Sequence, residues 1–83
     1  MEVLLTIEAR KVMNDLTLVV LRRFNEVLAR LHAWPQVSGA KPLSGKLAGR
    51  WRIRTGDYRV QFHVDRQRVI VERIGHRDRF YKD

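Results

Sequence analysis

A chain of 83 residues with 45% hydrophobic content is long enough for one domain over 1–83, in which folding buries about 60–65% of the surface that the unfolded chain exposes. It contains no cysteine, which excludes disulfides and thiolate metal sites and suits a reducing cytoplasm, and no window approaches the roughly 18 apolar residues of a membrane span. Its net charge of +8 comes from 17 basic residues, mostly arginine, against 9 acidic ones, which points to a polyanionic partner: nucleic acid or an acidic protein.

At the N-terminus, "MEVLLTIEARK" lacks the basic flank and the apolar length of a signal peptide. Its apolar run predicts a first strand over residues 2–7, after which Thr6 caps a helix beginning "IEARKVM". From Leu16 to Trp34, apolar Leu16, Val20, Phe24, Val27, Leu28 and Leu31 recur at spacings of three and four. That period predicts a core-facing amphipathic helix, separated from the first by Asn14-Asp15 and ended by Pro35. His32, near its end, reads as a packing residue.

"PQVSGAKPLSGKLAG" (35–49) is the one stretch rich in Gly, Pro and Ser and reads as a long loop. It is not a phosphate-binding loop, because Gly39 and Gly45 are six apart and Leu47 follows Lys46 where the G-x-x-x-x-G-K-[ST] pattern needs a hydroxyl.

The last third alternates with period two. "RWRIRTGDYRVQFHV" (50–64) carries a Gly56-Asp57 turn between two strands, which pairs Thr55 with Tyr58, Arg54 with Arg59, Ile53 with Val60, Arg52 with Gln61 and Trp51 with Phe62. Trp51, Ile53, Tyr58, Val60, Phe62 and Val64 then share the core face, while Arg50, Arg52, Arg54, Arg59, Gln61 and His63 share the exposed one. A further strand, "RVIVERI", follows a turn near Asp65-Arg66. An even-length turn keeps Val69 and Val71 in the core and sets Glu72 on the arginine face opposite Arg59. Gly75 ends it, leaving the tail "HRDRFYKD". The predicted fold is α+β: a helical hairpin packed on a twisted antiparallel β-sheet, in the order β-α-α-β-β-β. Residues 43–83 carry +6 of the charge, from 11 basic and 5 acidic residues. Four arginines on one face, with Arg54 and Arg59 about 5 Å apart at their β-carbons, are mutually repelling unless an anion lies among them.

"GRWRIRTGDYRVQFHVD", "RVIVERIGHRDRFY" and the preceding "L-x-G" resemble the C-terminal core of the RelE/ParE superfamily, the toxins of type II toxin–antitoxin pairs. For the RelE branch, the resemblance implies two helices on a twisted antiparallel sheet and ribosome-dependent cleavage of mRNA in the A site. It implies a cognate antitoxin as partner, a toxin–antitoxin heterotetramer on operator DNA, and no cofactor or metal. The superfamily's site residues fall at Arg52, Arg54, Arg59, Arg77 and Tyr81. With RNA as substrate, Arg50, Gln61 and His63 on the same face and Lys46 in the preceding loop become candidate contacts.

The arginines suit the charge that develops on a phosphorane, and Tyr81 suits stacking on a splayed base or proton transfer. Phe80 is the better anchor for the tail. Arg52 and Arg54 stand where well-known members carry lysine. A guanidinium cannot serve as a base, so the chain either cleaves slowly by electrostatics and substrate orientation alone or uses an imidazole: His76, beside Arg77, or His63 on the strand. The same resemblance accommodates two other roles, a DNA gyrase inhibitor of the ParE type and a catalytically weak relic that still binds its antitoxin.

Overall fold

A computed structural model describes residues 1–80, with backbone only for Arg79 and Phe80. The chain runs β1 (Glu2–Leu5), α1 (Ile7–Asn14), α2 (Leu18–Leu31), β2 (Lys41–Pro42), a 3-10 turn (Gly45–Leu47), β3 (Trp51–Thr55), β4 (Tyr58–Asp65), β5 (Arg68–His76) and α3 (Arg77–Phe80). The α+β layout and element order expected from the sequence are present, with one additional short strand.

Threonines start both long helices. Thr6 and Thr17 are extended, and their hydroxyl oxygens accept from Ala9 N at 3.1 Å and Val20 N at 3.5 Å. Each meets an amide that the helix leaves without a partner. Capping explains why β1 stops at Leu5 and α2 begins at Leu18 rather than Leu16. At its other end α2 leaves the helical path after Leu31. Trp34 turns inward, edge-on to Trp51 at 4.9 Å and Phe62 at 5.2 Å between ring centroids. His32 is exposed, and its Nδ1 lies 2.8 Å from the Met1 carbonyl oxygen.

The sheet order is β1-β5-β4-β3-β2. From β2 to β5 every neighbour is antiparallel, as expected, whereas β1 joins β5 in parallel, with Leu5 beside Val71. The 35–49 segment is not wholly loop. Lys41 and Pro42 pair with Arg52 and Trp51 and close the sheet's edge. A short edge strand carrying Lys and Pro resists pairing with another chain.

All five predicted cross-strand pairs of the β3–β4 hairpin are found. Its turn has positive φ at Gly56 (60°) alone, the signature of a type II′ turn with glycine at its first central position. The β4–β5 turn has the predicted even length. Its central residues are Arg66 and Gln67, both at positive φ (51° and 67°), so Asp65 pairs with Arg68 and Val64 with Val69.

Helical periodicity and strand alternation meet in one core. Phe24, Val27 and Leu31 of α2 pack with Ala9 of α1 and with Ile53, Val60, Phe62, Val69, Val71 and Ile74 of the sheet.

Thr6 has a second role. Its amide donates to Val71 O at 3.0 Å and its hydroxyl donates to Glu72 O at 3.1 Å, so the cap also ties the β1–α1 corner to β5. Thr6→Ala removes both hydroxyl bonds and is expected to cost about 1–2 kcal/mol. Urea unfolding followed by circular dichroism reads this as a lower midpoint, which Thr6→Ser restores.

Candidate active site

The sheet face turned away from the helices is a grid set by the strand register. Arg52 lies between Lys41 on β2 and Gln61 on β4, and the next row has Arg54 opposite Arg59, with Gly75 on the far side of Arg59. Arg50, just before β3, and His63 occupy the row at the other end. This face is less open than its composition suggests. Arg59 and Gln61 are only 8% and 6% exposed. A buried guanidinium and a buried amide require partners.

Arg59 finds them incompletely. Its Nη1 donates to Tyr58 O at 3.2 Å and to Gly56 O at 3.4 Å, which draws the head group towards the hairpin tip, while its buried Nε has no hydrogen-bond partner among the described residues. An unmet buried donor costs about 1–3 kcal/mol, more on a charged group, and an anion's oxygen would remove that cost. Arg77 reaches the same tip. Its amide donates to Asp57 O at 2.7 Å, and its Nε lies 3.9 Å from Asp57 Oδ1 and 3.7 Å from Asp78 Oδ1. With its side chain 59% exposed, those pairs hold it weakly. Arg54, Arg59 and Arg77 are thus brought together around the β3–β4 turn.

Gln61 belongs to a second cluster, centred on Glu72. The β4–β5 ladder steps from Gln61 with Arg73 to Phe62 with Val71, leaving Glu72 as a bulged extra residue. Regular alternation from Val69 and Val71 would bury Arg73 and expose Ile74. The bulge reverses that parity, so Ile74 enters the core at 4% exposure. Glu72 is on the arginine face as expected but beside Gln61, not opposite Arg59, because the turn lies at Arg66-Gln67, one residue later than Asp65-Arg66. Glu72 Oε1 accepts from Arg50 Nε at 2.7 Å and Gln61 Nε2 at 3.2 Å, and Glu72 Oε2 lies 3.2 Å from His63 Nδ1. The carboxylate therefore neutralises Arg50 and leaves Arg54 and Arg59 uncompensated.

His76 does not join the arginines. It is in register with Tyr58, whose ring meets it edge-on at 5.2 Å, and Tyr58 packs on Phe24 under the helices. The imidazole faces that side, where its Nδ1 accepts from Asp78 N at 3.2 Å. Its register opposite Tyr58 is the reason, and the Asp78 carboxylate, 3.4 Å from His76 Nδ1 and 3.7 Å from Arg77 Nε, lies between it and Arg77. Lys46 is exposed on the 3-10 turn before β3. Tyr81 lies outside the described residues, as does the Phe80 side chain. Sequence reasoning missed Lys41, because a two-residue strand carries no alternation from which to read its face. No group of three or more His, Cys, Asp or Glu side chains suited to a metal ion occurs among the described residues.

Comparison with known proteins places this geometry. A family profile described as the ParE toxin of the type II toxin–antitoxin system parDE matches residues 8–81. The chain belongs to the RelE/ParE superfamily. Solved structures agree. A chain of the toxin–antitoxin complex RelBE2 from Mycobacterium tuberculosis is 27% identical, with a TM-score of 0.78 over 90% of this chain and 88% of that one. A chain of the archaeal RelE–RelB complex from Pyrococcus horikoshii is 25% identical, with a TM-score of 0.72 over 94% and 96%. The isolated Escherichia coli RelE toxin, at 18% identity, shares the fold with a TM-score of 0.75 over 90% and 82%. No curated protein matches the chain.

In this RelE/ParE fold, the uncompensated Arg54–Arg59 pair is a cost that a site would retain. Replacing exposed Arg54 by glutamate sets opposite charges directly across the ladder, worth about 0.2–1 kcal/mol. Arg54→Glu is expected to raise the thermal midpoint by about 1–6 °C at low salt, with a smaller gain at high salt. Differential scanning fluorimetry at two ionic strengths checks it.

Proposed function

We propose that this toxin is an endoribonuclease that cuts mRNA in the ribosomal A site and is held inactive in the cytoplasm by a cognate antitoxin. The observation that carries the reading is the buried Arg59 guanidinium, with an unmet Nε–H, directly opposite Arg54 on a rigid antiparallel ladder. Cleavage by a neighbouring 2′-hydroxyl passes through a phosphorane with added negative charge. Fixed guanidinium donors favour that charge over the ground state, because they need no reorganisation as it forms. Arg52, Arg54, Arg59 and Arg77 would supply them. Arg50, Gln61, His63, Lys41 and Lys46 would add contacts along the RNA backbone, with Tyr81 as the stacking or acid–base group. His76 is left out of the catalytic set because its ring turns to the helix side.

An antitoxin partner is supported by the structural relatives, several of which are toxin–antitoxin complexes. The net charge of +8 suits an acidic segment that folds on contact and covers the arginine face, and the pair could assemble as a heterotetramer on operator DNA. A second reading, inhibition of DNA gyrase, is favoured by one observation, that the matching family profile is the ParE one.

The two readings separate in one experiment. Purified toxin is added to ribosomes programmed with a defined mRNA, and 3′ ends are mapped by primer extension. Cuts in phase with the codons are expected. Replacing Arg54 and Arg77, both exposed, with alanine should abolish the cuts and the growth arrest on expression without lowering the melting temperature by more than about 5 °C. Intact mRNA together with blocked gyrase supercoiling would establish the second reading.

A further inference from the structure

We infer that His63, held by Glu72, takes the proton from the attacking 2′-hydroxyl. The inference rests on the endoribonuclease reading and supplies what that reading lacks, since no guanidinium can accept a proton.

Glu72 is anchored by Arg50 at 2.7 Å and Gln61 at 3.2 Å on one oxygen, and its other oxygen is 3.2 Å from His63 Nδ1. A carboxylate can only accept, so Nδ1 carries the hydrogen and the Nε2 lone pair is directed away from Glu72. Among the described residues Nε2 has no hydrogen-bond partner. The His63 side chain is 36% exposed, open to a substrate, whereas that of Glu72 is 18% exposed and occupied on both oxygens. Glu72 is the positioning residue: it sets the tautomer and stabilises the imidazolium that forms. His63 shares its face with Arg50, directly across the extension of the β3–β4 register, and with Arg52, two positions along, so base and phosphate ligands stand on one rigid surface.

The other two imidazoles are excluded by position. His76 faces the helices, and His32 is engaged with Met1 O at the far end of α2. The position of the turn is what makes the pair: with Arg66 and Gln67 at its centre, the ladder running back from Asp65 with Arg68 brings Glu72 beside Gln61 and His63.

The step balances without a co-reactant. Nε2 takes the 2′-hydroxyl proton, the 2′ oxygen bonds to phosphorus, and the bond from phosphorus to the 5′ oxygen breaks. That oxygen leaves with a solvent proton. The products are a 2′,3′-cyclic phosphate and a 5′-hydroxyl, and the imidazolium returns its proton to water.

The test uses single-turnover cleavage on programmed ribosomes with excess intact toxin. His63→Ala is expected to slow cutting about 10²–10⁴-fold at saturating toxin, and added imidazole should restore a measurable part of the rate. Glu72→Gln should slow cutting by a smaller factor with no response to imidazole, because the ring is still present. His63→Gln, which fills the same space without a base, should behave as His63→Ala. Melting curves of all three variants show whether they fold. A folded His63→Ala that cuts at the wild-type rate, or that loses activity beyond rescue by imidazole, overturns the assignment of His63 alone. Wild-type toxin that leaves the mRNA intact removes the reaction itself, and with it the endoribonuclease reading and the role of His63.

Discussion

Strand β4 is packed on both faces, and this constraint governs the rest of the molecule. Val60 and Phe62 are fully buried against the helices, yet the alternating residues Arg59 and Gln61 are also more than nine-tenths buried on the other side. A strand in that position ordinarily reads as continuous apolar sequence. Here one face must instead place a guanidinium and an amide among polar neighbours, or the strand would not be stable at the centre of the sheet. Gln61 meets the requirement through Glu72. Arg59 meets it through two backbone carbonyls at the hairpin tip and leaves one donor over.

The sheet therefore divides its charge into two regions with different electrostatics. Around Glu72 the charges are compensated. Arg50, Gln61 and His63 converge on one carboxylate, and the geometry is self-sufficient. Around the β3–β4 turn they are not. Arg54 and Arg59 are paired like with like, and the acidic groups nearest Arg77, Asp57 and Asp78, are exposed and 3.7 Å or more away. Solvent screens such contacts, so the excess positive potential at the tip persists. Folding tolerates the repulsion because the apolar face of the same hairpin, Ile53 with Val60 and Trp51 with Phe62, sets the register independently of the arginines.

The hairpin was legible in the sequence because three signals agree: Gly-Asp at the turn, strict alternation on both sides, and aromatic or branched residues at each core position. The helices were legible from apolar spacing and from Thr6 as a cap. The bulge at Glu72 was not, since one inserted residue is visible only as a clash between the parity of Val69 and Val71 and that of Ile74. That clash was present in "RVIVERI", whereas the place of Glu72 beside Gln61 follows from the turn lying at Arg66-Gln67. His76 lies on the helix side because it pairs with Tyr58, a placement that sequence adjacency to Arg77 does not reveal. Lys41 was hidden in a segment rich in Gly, Pro and Ser, where β2 exists only through its pairing with Arg52 and Trp51. The Arg66-Gln67 turn lacks the Asn or Gly that its two positive φ values favour, so only its even length could be inferred, from the faces of Val69 and Val71.

Arginine at positions 52 and 54 changes the division of labour on such a face. A lysine can bind phosphate as a point charge or, when desolvated, give up its proton, so one residue type can serve two steps. A guanidinium offers a planar, permanently charged fork, which is better at holding a phosphorane and unable to move a proton. A surface built from guanidinium groups must therefore keep its proton acceptor in a separate side chain, outside the uncompensated cluster, where positive potential would oppose its protonation. Beside Glu72 the carboxylate fixes the ring of His63 through its Nδ1. Glu72 thus supplies negative charge on the arginine face next to an imidazole.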